Sequence, residues 1–198
     1  MGDDAVSDGK GFVIADRERI EGALDDLARR IHGALGVDFH LVGILRRGLP
    51  LAQALGERLS SLRGEEVEVG ELRLKRYADD LSILHEEPRL EEDEGDVPFE
   101  VEGSKLLLVD DVIYSGRTLL KAACHLVGRG ASELRLVALC SRGENAVPVR
   151  ADFVAMRIDV GEGRVIEVHA PPFEERWEVL LFHQEDLEGH HEDLADGN

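Results

Sequence analysis

The sequence predicts an α/β domain built on a central, mainly parallel sheet flanked by helices. Two observations carry the prediction. Short aliphatic runs of strand length alternate with segments whose apolar residues recur every three or four positions. Strands alternating with helices imply crossover connections, which parallel pairing requires. The length agrees: 198 residues with 43% hydrophobic content suit one domain that buries most of the surface its unfolded chain exposes.

The elements follow in order. Residues 1–11 are polar and Gly-rich and read as a disordered tail. From Asp16 to Leu35, Ile20, Leu24, Leu27, Ile31 and Leu35 recur at helical spacing and predict an amphipathic helix. Phe39 to Leu45 is a short apolar run, read as a buried strand. Arg46-Arg47-Gly48 turns into a second helix, about Leu49 to Leu62. Glu66 to Leu74 alternates as a strand does. Residues 75–103 lack apolar periodicity and read as a mobile loop or arm. Lys105 to Val112 is a strong strand, followed by a Gly turn and a helix through Val127. Glu133 to Cys140, Asp152 to Ile158, Val165 to His169 and Val179 to Phe182 are further strands. The acidic stretch 185–198 reads as a disordered tail, leaving 12–184 as the single domain.

Composition narrows the function classes. There are 42 acidic and 23 basic residues, a formal net charge of -19. Affinity for a nucleic-acid backbone comes from Lys and Arg neutralising phosphates, so this balance argues against RNA as a partner. Only Lys10, Lys75, Lys105 and Lys121 are lysines, a bias that fits either a salt-adapted surface or skewed composition. No apolar stretch reaches the roughly 18 residues of a membrane span. Met1-Gly2-Asp3-Asp4 has no apolar core and does not read as a signal peptide, so a cytoplasmic protein is expected. Cys124 and Cys140 sit in apolar segments and are expected to be buried free thiols.

One stretch carries chemistry: Leu106-Leu107-Leu108-Val109-Asp110-Asp111-Val112-Ile113-Tyr114-Ser115-Gly116-Arg117-Thr118. A buried strand ends in two adjacent carboxylates, and a Ser/Gly/Thr loop then opens a helix. Ligands of open parallel sheets bind at the carboxyl ends of the strands. A helix N-terminus offers unpaired N–H groups and partial positive charge to a phosphate. Gly116 lets the backbone approach closely, Ser115 and Thr118 add hydroxyls, and the carboxylates can accept from sugar hydroxyls. The assembly suits a phosphorylated sugar.

This stretch resembles the 5-phosphoribosyl-1-diphosphate (PRPP) motif of the type I phosphoribosyltransferases. Leu41-Val42-Gly43-Ile44-Leu45-Arg46-Arg47-Gly48 resembles the diphosphate-binding loop, and Tyr77-Ala78-Asp79-Asp80-Leu81 the flexible catalytic loop. Arg142-Gly143 and Pro148-Val149-Arg150-Ala151-Asp152-Phe153 follow in the expected order. Together they resemble the bifunctional pyrimidine-operon attenuator and uracil phosphoribosyltransferase (PyrR) family, over roughly residues 16–158.

The resemblance implies the type I phosphoribosyltransferase fold with a small hood, and a reaction in which PRPP and a nucleobase give a nucleoside monophosphate and diphosphate. Asp110 and Asp111 would bind the ribose hydroxyls, directly or with Mg²⁺. Tyr114, Ser115, Gly116, Arg117 and Thr118 would hold the 5′-phosphate. Arg46, Arg47 and Gly48 would meet the diphosphate, in a loop that often contains a cis peptide. Arg76, Tyr77, Asp79 and Asp80 would close over the site. Val112, Arg142, Met156 and Ile158 would face the base. Relatives acting on 6-oxopurines typically carry an Asp where this chain has Tyr114. A neutral phenol is a poor base at pH 7, which favours uracil and the product UMP. The resemblance also implies a homo-oligomer, a dimer or higher.

Departures from the pattern keep two alternatives open, a different nucleobase and a UMP-responsive RNA-binding regulator. Ala78 stands where the family usually has Arg, with Lys75 and Arg76 close by. Ala155-Met156-Arg157 and Asp159-Val160-Gly161-Glu162-Gly163 differ around the base pocket. RNA-binding members carry a Thr-Arg pair in the first helix, where this chain has Asp25-Asp26.

Overall fold

The structure is a computed structural model, and it describes residues 11–36, 38–73, 97–143, 146–161 and 163–184. Two sheets organise the chain. Five parallel strands, β2 (His40–Ile44), β3 (Val69–Leu72), β4 (Lys105–Ile113), β5 (Glu133–Ser141) and β6 (Phe153–Arg157), lie in the order β3-β2-β4-β5-β6. Three antiparallel strands, β1 (Phe12–Ala15), β7 (Arg164–His169) and β8 (Glu178–His183), form a smaller sheet ordered β1-β8-β7. The main sheet matches the expected parallel core, and the smaller sheet is the hood.

Helix α1 (Arg17–Leu35) starts because the Asp16 carboxylate accepts the Arg19 N–H at 3.0 Å. It stops at Gly36, whose positive φ lets its N–H bond back to the His32 carbonyl. Its buried stripe of Ile20, Leu24, Leu27, Ala28 and Ile31 joins Leu51, Leu55 and Leu59 of α2 (Gly48–Arg63) on one face of the sheet. Leu119, Ala122 and Leu126 of α3 (Arg117–Gly128) cover the other face. The four aliphatics of β4 divide between the two cores by the two-residue period of a strand. Leu107 and Val109 belong to the first, Leu106 and Leu108 to the second. A strand buried on both faces is what the unbroken aliphatic run requires.

Several expectations are corrected. β1 is a strand not anticipated in the sequence. β3 is four residues long rather than the nine of 66–74. β4 continues one residue past Val112, and Asp110 and Val112 stand in register with Ala138 and Cys140 of β5. Residues 97–103, the end of the span read as a loop, are fastened to the body: Val101 is buried, and the Phe99 ring stacks on His40 with centroids 4.2 Å apart. Cys140 is a buried free thiol, but Cys124 is exposed, because it falls on the side of α3 opposite Leu119, Ala122 and Leu126. Among the described residues no helix is long and apolar enough to cross a membrane.

The cysteines give a direct check on this packing. Burial, with a contribution from the Asp111 charge, pushes the Cys140 thiol up to about 12, so it stays protonated and enclosed. A thiol reagent at neutral pH is expected to modify Cys124 alone in the native protein, and Cys140 only after unfolding. Modification of both at one rate would contradict the placement of β5.

Candidate active site

The site lies at the carboxyl ends of the parallel strands. A cleft of about 720 Å³ is lined by Leu45, Arg46, Arg47 and Leu49 from the loop after β2, Glu71 and Arg73 at the end of β3, Asp110 and Asp111 of β4, and Phe173 and Glu174 after β7. Thus the structure brings together Arg46, Arg47, Asp110 and Asp111, which come from two segments some sixty residues apart in sequence.

Close approach of the backbone makes this possible. A Cβ on Gly48 would lie 2.6 Å from the Val109 carbonyl oxygen and 3.3 Å from Asp110 Cα. Any larger residue would lift the arginine loop off the carboxylate strand. Gly48 is itself buried, so its part here is to permit that approach. The Leu45–Arg46 peptide is cis, as the resemblance implies for this loop. Asp110 is buried and its Oδ1 accepts the Asp111 N–H at 3.0 Å; Asp111 Oδ1 accepts the Val112 N–H at 2.8 Å.

The loop from Tyr114 to Gly116 leads into α3. Gly116 sits at φ 78°, a left-handed conformation that favours glycine, and offers no side chain to cap the helix. The Ser115 carbonyl accepts the N–H groups of Ala146 and Val147, at 3.0 and 3.3 Å, which ties the loop to the segment after β5. The Ser115 hydroxyl oxygen accepts the Arg117 N–H at 3.3 Å. The early N–H groups of α3 are therefore presented as a helix N-terminus, with the hydroxyls of Ser115 and Thr118 in the same turn.

A second cleft, of about 740 Å³, lies on the far side of β4, lined by Ser141, Arg142, Gly143, Arg157, Ile158, Asp159, Val160 and Gly161. Of the residues expected to face the base, Arg142 and Ile158 line it. Val112 and Met156 do not line it; like Ile158, they are partly buried against the first core. The Arg142 guanidinium stands 5.0 Å from the Tyr114 ring centroid and donates to the Gly161 carbonyl at 3.3 Å. The Tyr114 hydroxyl donates to the Arg164 carbonyl at 3.0 Å. Burial raises the Tyr114 phenol above its ordinary value, and the Arg142 charge offsets this only in part, so the phenol is neutral at pH 7. The expected loop residues Arg76, Tyr77, Asp79 and Asp80 lie outside the described residues.

Sequence reasoning missed several residues of the first cleft: Glu71, Arg73, Phe173 and Glu174, and behind it Glu167. Arg46 lies 5.2 Å from the Phe173 ring centroid. Arg47 is held by Glu167 and Glu174. Burial alone would lower the Arg47 value, yet these carboxylates hold it above the usual guanidinium range. The advance signal was the dipeptide Pro171-Pro172, a turn marker immediately before Phe173-Glu174.

The resemblance implies a site made positive by Arg46, Arg47, Arg117, a helix N-terminus and Mg²⁺ together. Among the described residues the lining instead carries three arginines and four carboxylates, Glu71, Asp110, Asp111 and Glu174. Nor do the described residues hold a group of three or more His, Cys, Asp or Glu able to bind a metal. Such a lining fits a divalent cation that would arrive on an anionic substrate, with Asp110 and Asp111 as the residues that would meet it.

The phosphoribosyl transferase domain model matches residues 13–171, and the chain belongs to that family. Among curated relatives, the Bifunctional protein PyrR of Bacillus mycoides (strain KBAB4) is 37% identical over 175 residues, covering 86% of this chain and 96% of that protein. The protein of the same name from Bacillus cereus (strain AH820) is 36% identical over the same shares. The fold is also that of the hypoxanthine phosphoribosyltransferase of Trypanosoma cruzi, with a TM-score of 0.68 at 17% identity over 89% of this chain and 99% of that one. A hypoxanthine-guanine phosphoribosyltransferase from Bacillus anthracis matches with a TM-score of 0.60 at 19% identity, over 74% and 82% of the two chains.

Proposed function

We propose that this phosphoribosyltransferase joins uracil to PRPP and releases UMP and diphosphate. The observation that carries the reading is the single cleft in which Asp110 and Asp111 share a lining with Arg46 and Arg47. The α3 N-terminus holds the 5′-phosphate, with Ser115 and Thr118 donating to its oxygens and Gly116 allowing contact with the backbone. Asp110 and Asp111 accept hydrogen bonds from the ribose hydroxyls. Arg46 and Arg47 meet the departing diphosphate with charge-assisted donors. Mg²⁺ bound to PRPP supplies charge neutralisation for a lining in which carboxylates outnumber arginines.

The base is assigned from Tyr114. Its phenol, raised by burial and donating to a carbonyl, holds its proton at pH 7 and does not serve as the general base a purine ring calls for. Uracil is therefore favoured over hypoxanthine and guanine. RNA regulation has less support, because Asp25 and Asp26 stand exposed on α1, where they repel a phosphate backbone. Asp25 is bound by Arg58 at 2.6 Å, and Asp26 lies 3.6 Å from the Arg30 guanidinium.

An assay with PRPP and Mg²⁺, offering uracil, hypoxanthine, guanine, xanthine, adenine and orotate in turn, tests the assignment. Nucleotide is expected from uracil. Turnover of another base with none from uracil would reject it.

A further inference from the structure

The hood reaches into the diphosphate loop through one side chain. Arg47 Nε and Nη2 both donate to Glu174 Oε1, at 3.1 and 2.8 Å, and Nη2 also donates to Glu167 Oε1 at 2.7 Å. A guanidinium has five N–H donors in a planar fork. Three are directed at the two carboxylates, which leaves the Nη1 pair as the edge available to a ligand. Glu174 is itself fixed: its Oε2 accepts the buried Ala170 N–H at 2.8 Å, and the Glu174 N–H closes a turn on the Ala170 carbonyl at 3.1 Å. Glu167 projects from β7, whose pairing with β8 locks its backbone. His169 Nε2 lies 3.9 Å from Glu167 Oε1 and makes a second cationic neighbour when protonated.

We propose that Glu174, assisted by Glu167, is a positioning residue for the transfer reaction: it clamps the Nε/Nη2 edge of Arg47 so that the Nη1 edge meets the diphosphate of PRPP. The inference rests on the reading of the cleft as a PRPP site. Neither glutamate touches the reacting atoms; both act through Arg47. A long arginine side chain free in the cleft loses several rotors on binding, and a clamped one has already lost them. Both glutamates come from the hood, so the clamp also makes the placement of the diphosphate loop depend on the hood.

The test is a double-mutant cycle in the full chain, read as kcat and KM for PRPP and, independently of any base, as the dissociation constant of Mg·PRPP by calorimetry. Glu174→Gln is expected to lower kcat/KM for PRPP on the order of tenfold to a hundredfold, the scale of a small misplacement of a positioning group. Glu174→Asp restores part of the loss. In the Arg47→Ala background Glu174→Gln has no further effect. Glu167→Gln, which leaves the Ala170 turn intact, shifts the same parameters in the same direction by less and serves if Glu174→Gln fails to fold. Equal losses in both backgrounds would overturn the proposal and make Glu174 a prop for the hood turn alone. Tighter Mg·PRPP binding in Glu174→Gln would also overturn it, because the glutamates would then compete with the diphosphate. If the wild-type chain binds Mg·PRPP but makes no UMP, the uracil assignment fails and the binding cycle still decides the clamp. If it does not bind Mg·PRPP, both fail.

Discussion

Asp111→Asn is expected to lower kcat on the order of 100- to 1000-fold while leaving the fold intact, the scale of losing one preorganised electrostatic contact at a developing charge. Asp111 lines the cleft at the end of β4, opposite the arginine loop. On the proposed reading, its contribution depends on carrying a full negative charge toward the ribose and the cation on PRPP. Asparagine has nearly the same shape and keeps an oxygen to accept the Val112 N–H, so the strand end retains its hydrogen bond. The change in stability is expected to stay within about 1 kcal/mol. Steady-state turnover with PRPP, beside a thermal melt, separates the two effects. Unchanged turnover would refute the role of this carboxylate, and a collapsed melt would make it structural.

Gly48→Ala is the second substitution with a large expected effect, and it acts by displacement rather than by charge. The new methyl would lie 2.6 Å from the Val109 carbonyl oxygen and 3.3 Å from Asp110 Cα. Both are backbone atoms of a strand paired on both sides, so the loop gives way and not the sheet. Overpacking of this kind costs about 1–3 kcal/mol of stability. Since the loop carries Arg46 and Arg47, kcat/KM for PRPP should fall on the order of 100-fold. Gly33→Ala is the control. That position is exposed on α1, and nothing lies within 4 Å of its added methyl. Exchanging Gly for Ala in a helix interior should stabilise by about 1 kcal/mol and leave turnover unchanged. Wild-type kinetics in Gly48→Ala would show that the loop does not depend on contact with β4.

Much of this was legible in the chain because it is local. The spacing from Ile20 to Ile31, the four aliphatics before Asp110-Asp111 and the Gly116 turn each reveal their element from a few neighbouring residues. The hood was only half legible. β7 and β8 read as strands, but their partner β1 is four residues long and pairs with Val179 to Leu181, far along the chain. No local pattern reports such a register. The Arg47–Glu174 contact spans 127 positions and was invisible for the same reason. The acidic character of the cleft was hidden likewise, since Glu71 and Glu174 join it only through the fold. Cys124 differs. Its offset from Leu119, Ala122 and Leu126 already placed it outward on α3, and helical spacing applied to that helix would have found it.

A protein of net charge -19 does not enclose a simple basic pocket for an anionic substrate. It presents arginines interleaved with carboxylates, and on the proposed reading the substrate would bring further positive charge as Mg²⁺. The hood carboxylate Glu174 bears on this at low pH. Burial alone would raise it, but the hydrogen bonds from Arg47 and the Ala170 N–H outweigh that and hold it below the ordinary carboxylate range. A depressed carboxyl contributes stability above its unfolded value and loses that contribution as pH falls through the folded one. The clamp is therefore at full strength at neutral pH and weakens only in acid, below the usual carboxylate range.

The reaction proposed for this chain is the formation of UMP from uracil and PRPP. The most direct measurement incubates the wild-type protein with labelled uracil, PRPP and Mg²⁺ and quantifies nucleotide and diphosphate together. The account predicts UMP and diphosphate in equal amounts, abolished when PRPP is left out. Diphosphate release without UMP, or no label in nucleotide while another base is converted, would contradict it.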